Sequence, residues 1–153
     1  METPSFTFPL ERVRTLRERA EERAREALSA ELRNQAEGEA LLQAAADAVG
    51  AARDHGRAVP GGRVSVADFR TAQNFLETTE RRRAEASIEL ARREAEVSVK
   101  RQELAVAARD RQAIDKLKER RKAEHDAEWA RRSQNTLDEL ALAVHRRGGP
   151  VAA

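Results

Sequence analysis

The sequence predicts an all-α fold: two long helices forming an antiparallel coiled-coil hairpin, the second helix longer and overhanging at its C-terminal end. Three observations carry this. Charged residues make up 37% of the 153-residue chain and aromatics only 3%, too little bulky apolar matter for a thick globular core. The strongest helix breakers fall into three clusters: Pro4 with Pro9, then Gly56 with Pro60, Gly61 and Gly62, and finally Gly148, Gly149 and Pro150. Between the clusters, apolar residues recur at three- and four-residue spacings, a periodicity that a disordered chain lacks.

A single elongated hairpin follows, with helix 1 over about 9–55, a turn over about 56–64 and helix 2 over about 65–147. Pro9 suits the first turn of helix 1, where its missing donor has no intrahelical partner. Gly56 is the expected stop. Gly38 and Gly50 lie inside helix 1, each costing about 1 kcal/mol relative to Ala. Ser65-Val66-Ala67-Asp68 has the capping-box pattern, with Asp in place of the commoner Glu or Gln. Val64 and Phe69 occupy the two positions of a hydrophobic staple. Helix 2 then runs unbroken for about 80 residues.

A seven-residue repeat runs down helix 2. One column holds Phe69, Leu76, Arg83, Leu90, Val97, Leu104 and Arg111, the other Ala72, Thr79, Ala86, Arg93, Lys100, Ala107 and Ile114. Helix 1 answers with Leu10, Val13, Leu16, Ala20, Ala24 and Ala27, then Leu42, Ala45, Val49 and Ala52. A short turn makes the helices antiparallel neighbours. Folding back near Gly61 sets residue 10 opposite approximately residue 112, close to where the apolar repeat ends. From Lys116 to Gln134 the helix is almost polar all round, as expected of a segment without a partner helix. Apolar spacing resumes at Leu137, Leu140, Ala141 and Val144. The expectation is an overhang of about 30 residues, so that loss of residues from Lys116 onward removes little packing within the chain.

Charge and composition exclude several functions. The 29 basic residues face 27 acidic ones and are interleaved with them, whereas a phosphate-binding surface needs clustered, unneutralised cations, so no nucleic-acid partner is expected. No cysteine is present to form a disulfide, a thiol nucleophile or a thiolate metal site. No segment approaches the roughly 20 apolar residues of a membrane span, and Met1 to Pro9 does not read as a signal peptide. His55, His125 and His145 are far apart, and neither a Gly-rich phosphate loop nor a paired-His motif occurs. The expectation is a protein that is not an enzyme and has no catalytic residue, cofactor or metal.

Phe6-Thr7-Phe8-Pro9-Leu10-Glu11-Arg12-Val13, followed by Leu16-Arg17-Glu18, resembles the N-terminal entry of the FliJ family. Lys118-Glu119-Arg120-Arg121-Lys122-Ala123-Glu124 and Leu137-Asp138-Glu139-Leu140-Ala141 resemble that family's closing charged stretch and its acidic, apolar and alanine element. The resemblance covers the whole chain in length, breaker placement and helix order. It implies a non-enzymatic stalk component of bacterial flagellar type III protein export, and thus a part in flagellum biogenesis and motility. The hairpin would resemble the paired terminal helices of the rotary ATPase gamma subunit, coupling the export ATPase ring to the cytoplasmic linker of the export gate. It would assist export of flagellar proteins, contact export chaperones and work in the cytoplasm, peripheral to the inner face of the cell membrane at the flagellar base.

On that resemblance, the export-gate contact candidates are Phe75, Thr79, Arg82 and Ala86, with an Ala-rich run from Ala44 to Ala52 as the helix 1 counterpart; unlike familiar members, this chain has no tyrosine. ATPase-contact candidates are Lys118, Arg120, Arg121, Trp129, Leu137, Leu140 and Val144. Each has a plainer reading beside it. Phe75 drapes over Ala46 to Ala48 as packing, the basic cluster is a solvated face neutralised by Glu119, Glu124, Asp126 and Glu128, and Trp129 is buried by Phe6 or Phe8. Rival functions are an injectisome-type secretion stalk, a helical chaperone for export substrates and a basic coiled-coil nucleic-acid binder. The architecture has a direct test in small-angle scattering. A hairpin of these helix lengths has a radius of gyration far above the roughly 15 Å of a 150-residue globule, and a value near 15 Å would exclude it.

Overall fold

The computed structural model describes residues 4–57 and 65–147. Two helices account for nearly all of them, α1 (Glu11–Arg57) and α2 (Val66–Arg147), of 47 and 82 residues, with no strand among the described residues. The fold is the all-α two-helix hairpin that the spacing of breakers and apolar residues predicts.

The helix ends have local causes. Pro9 and Leu10 form a turn ahead of α1, in which the Glu11 amide donates to the Phe8 carbonyl at 3.2 Å and the Arg14 amide to the Leu10 carbonyl at 2.9 Å. The fixed φ of Pro9 thus serves the lead-in, and the helix begins two residues later than the sequence suggests. At its far end α1 continues through Gly56 to Arg57, so Gly56 lies within the last turn and does not end the helix. Ser65 caps α2: its Oγ accepts from the Ala67 amide at 3.2 Å and its carbonyl from the Phe69 amide at 3.0 Å. The hydroxyl satisfies the second helical amide where the capping-box reading put the Asp68 amide, and Asp68 adds negative charge at the positive end of the helix dipole. Val64 and the staple it would form lie outside the described residues, and Phe69 is exposed.

Two compact units divide the chain, one of Glu21–Ala107 and one of Met1–Ala20 with Ala108–Ala153. Within Glu21–Ala107 the two helices run antiparallel, with Arg53 donating to Glu80 at 2.7 Å and Arg93 donating to the Asn34 carbonyl at 2.7 Å. Val49 and Ala52 of α1 and Val97 and Thr79 of α2 are buried. Leu76, Leu90, Leu104, Ala72, Ala86, Arg93, Lys100 and Ala107 are half-buried, so the two predicted columns do form the seam here; Phe69 and Arg83 are their exposed exceptions. The buried Thr79 hydroxyl is satisfied by the Leu76 carbonyl at 2.8 Å and the Phe75 carbonyl at 3.2 Å. Gly38 is buried where the helices approach: a Cβ there would sit 3.0 Å from Arg93 Cδ and 3.3 Å from Leu90 Cδ1. A residue that propensity marks as a weakness is where the Arg93 stem crosses α1 to reach Asn34.

The other unit corrects the expected extent of the overhang. Arg14 donates to Asp115 at 2.8 Å and Arg17 to Asp110 at 2.7 Å, and the pairing continues past Ile114 as Lys118 donates to Glu11 at 2.8 Å. Ahead of α1 the extended lead lies along α2: Phe8 is 7% exposed with the Lys118 ammonium 6.0 Å from its ring centroid, and Phe6 stands 5.6 Å from the His125 ring. The partnered part of α2 therefore reaches His125. Loss of residues from Lys116 onward would strip Phe8 of its support, contrary to the expectation from periodicity alone. Leu16, assigned to the seam, is 58% exposed.

The two glycines of α1 have opposite surroundings and should respond oppositely. Gly38→Leu must displace Leu90 and Arg93, and a loss of about 1 to 3 kcal/mol is expected. Gly50→Ala meets nothing within 4 Å and should gain up to about 1 kcal/mol from helix propensity. Urea unfolding followed by circular dichroism measures both.

Candidate functional site

Two exposed surfaces carry the residues of interest, and each belongs to one unit. In the terminal unit, the C-terminal turns of α2 place Leu137, Leu140 and Val144 on one face through their three- and four-residue spacing. They are 57%, 56% and 70% exposed. Leu142, which the periodicity does not single out, is 56% exposed and stands on nearly the opposite face of the helix from this stripe. Trp129, two turns earlier, is half-buried. The ring that meets the N-terminal lead is His125, through Phe6, and neither Phe6 nor Phe8 stacks on Trp129.

The basic cluster is largely committed to acidic neighbours. Arg120 and Arg121 donate to Glu124 at 2.9 and 3.2 Å, Arg132 pairs with Glu128, and Lys118 is bound to Glu11. The hydrogen bond from Arg120 holds the Glu124 carboxyl below its ordinary value, and that from Lys118 does the same for Glu11. Arg120 and Arg121 remain well exposed with their charges matched, whereas Lys118 is part of the link between the helices.

In the turn-side unit the row Phe75, Thr79, Arg82 and Ala86 divides. Phe75 is 56% exposed and Arg82 is exposed, while Thr79 is buried in the seam and Ala86 is half-buried beside it. One-turn spacing explains the split, since Thr79 and Ala86 belong to a seam column and Phe75 and Arg82 stand to one side. More than half of the Phe75 residue surface is open to solvent.

Two helices that meet along a thin seam within each unit, and leave large apolar residues exposed, define a coiled-coil protein. The chain belongs to the FliJ family: the family model described as "Flagellar FliJ protein" matches residues 6–150. That membership gives it a role in flagellar protein export, in a family that is a non-catalytic part of the export apparatus. No curated protein and no solved structure matches the chain. Among the described residues, no helix is long and apolar enough to cross a membrane.

The lowered carboxyls make stability depend on pH with a definite sign. Glu11, Glu89 and Glu124 titrate below their unfolded values because Lys118, Arg92 and Arg120 respectively hydrogen-bond the charged form. Their contribution is complete above the unfolded carboxylate value and is lost as pH falls through the lower folded value. Melting temperature should therefore fall between about pH 5 and about pH 2, and less steeply in Glu11→Gln, which has lost one titrating partner. Thermal melts followed by circular dichroism across this range provide the check.

Proposed function

We propose that this protein is the stalk of the flagellar export ATPase. The C-terminal part of α2 enters the ATPase ring, and the turn-side end faces the cytoplasmic linker of the export gate at the inner face of the membrane. The observation that carries the reading is the stripe Leu137, Leu140 and Val144, three large apolar side chains more than half exposed at the end of an 82-residue helix. Burial in an interface stabilises by about 1.5 to 3 kcal/mol per such side chain, enough in sum for a specific contact. Arg120, Arg121 and Trp129 precede the stripe and add charge and a large ring, whereas Lys118 supports the surface from within the hairpin. Toward the gate, Phe75 and Arg82 are the contact residues, and Thr79 and Ala86 hold the helix that presents them.

The action is mechanical and allosteric, without chemistry by this chain. A stalk biases a ring only by making contacts that differ among the ring's conformations. Export chaperones are the third class of partner. Membership in a flagellar family favours this system over the injectisome.

The test is the triple change Leu137→Ser, Leu140→Ser and Val144→Ser, which spares every charge. The variant should keep its helicity and melting temperature and lose stimulation of the export ATPase. Normal stimulation by a folded variant would remove the stripe from the ring contact, and unfolding would make it part of the chain's own core.

A further inference from the structure

A second seven-residue repeat runs along α2 within the unit Glu21–Ala107, on the face turned away from the seam. Ile88, Ala95 and Gln102 form one of its columns, and Arg92, Val99 and Val106 the other. Both stand within about 30° of the direction opposite the seam residues Leu90, Val97 and Leu104. Ile88, Val99 and Val106 are 72%, 46% and 56% exposed, and Ala95 is exposed with them. Arg92 and Gln102 make this stripe no more polar than the seam itself, whose columns carry Arg83, Arg93 and Lys100. Here α2 has the pattern of a helix with two partners, and α1 supplies one.

The two borders of the stripe differ. On one side stand Ala91, Ser98 and Ala105, small, uncharged and exposed, which allow another helix to approach closely. On the other stand Glu89, Glu96 and Glu103, again at seven-residue spacing. The cations Arg93 and Lys100, which pair with Glu89 and Glu103, are half-buried toward the seam, and Arg93 is also bound to the Asn34 carbonyl. Arg92 pairs with Glu89 from the stripe itself. Glu96 makes no ion pair among the described residues and has Arg92 and Lys100 only at longer range. The outer edge of this border therefore presents more carboxylate than cation.

We propose that this face of α2 receives an amphipathic helix of a partner protein whose apolar stripe is bordered by Lys or Arg, the partner's cations meeting Glu96 and Glu103. Apolar burial supplies the attraction, and the glutamate column selects the partner and sets its orientation. From Ile88 to Val106 the stripe is about 27 Å long and one helix face wide, which suits a single helix. A second copy of this chain is a poor occupant. Antiparallel pairing of two such faces sets the glutamate columns against each other, and parallel pairing sets Arg92 against its own counterpart. The proposal uses neither the ring contact nor the turn-side contact.

Fluorescence anisotropy of labelled synthetic peptides added to the full chain at low salt is the test. Two helical peptides of about three heptads share one Ile and Leu stripe and differ only in carrying Lys or Glu at the bordering positions. The Lys peptide should bind, and the Glu peptide should bind at least about tenfold more weakly. Ile88→Ser combined with Val99→Ser, both at exposed positions, should keep the helicity of the chain and weaken the Lys peptide about tenfold or more. Glu96→Lys combined with Glu103→Lys should reverse the preference between the peptides. No binding of the Lys peptide up to millimolar concentration would overturn the proposal. So would binding that is indifferent to the double serine change, since the peptide would then sit on another face, and so would equal binding of the two peptides, since the glutamates would then select nothing.

Discussion

Each unit of this molecule is constrained by having only a thin apolar seam between its helical segments. A helix pair offers each helix one partner, and whatever that contact does not cover remains in water. The apolar residues buried among those described are only Phe8, Val49, Ala52 and Val97. Such a seam tolerates polar members by using the aliphatic stems of long side chains as packing and sending their charged ends to the edge. Arg93 does this across Gly38, and Arg14 and Arg17 reach Asp115 and Asp110 from the edge of the other unit. Exposed pairs of this kind contribute little singly, about 0 to 1 kcal/mol each, and what they supply is register.

How much of this was legible depended on whether the signal was periodic. The breaker clusters and the seven-residue repeat located both helices, and the seam columns from Ala72 to Ala107 follow the repeat closely. Periodicity failed where packing is not helical. The lead Pro4 to Leu10 has no repeat, yet Phe8 and Phe6 cover α2 as far as His125, so the apparent end of the seam at Ile114 was only the end of the apolar repeat. Two aromatics beside Pro9, in a chain with very few aromatics, were the signal available. Gly38 shows a related limit: propensity gives its cost within the helix but not its use, which is set by the Arg93 and Leu90 side chains above it. Thr79 and Ala86 carry two readings at once, since the repeat places them in the seam, where they are buried and half-buried, while the family resemblance put them on a contact row.

The surfaces left for partners follow from the same constraint. Seam residues cannot leave the seam, so the turn-side contact proposed above reduces to residues such as Phe75 and Arg82 that stand beside it. In the basic stretch, Lys118 is fixed to Glu11 and Arg120 and Arg121 share Glu124. The field projected from this stretch is weaker than its count of cations suggests, which disfavours a phosphate-binding role and leaves apolar contact as the stronger source of affinity.

The C-terminal turns of α2 are the place where stability and the proposed ring contact separate. They are supported by pairs within the helix, Arg132 with Glu128 and Gln134 with Asp138, each worth a few tenths of a kcal/mol. An isolated peptide of that sequence would barely hold a helix, because nucleation is costly and these turns are short. Here the nucleus already exists, since the helix is established upstream by the seam, and each further residue only has to propagate it. The tail can thus hold Leu137, Leu140 and Val144 on one face without a core beneath them. Local opening of these turns costs far less than unfolding the seam, so a partner that buries the stripe stabilises its helical geometry at little expense to the rest of the chain.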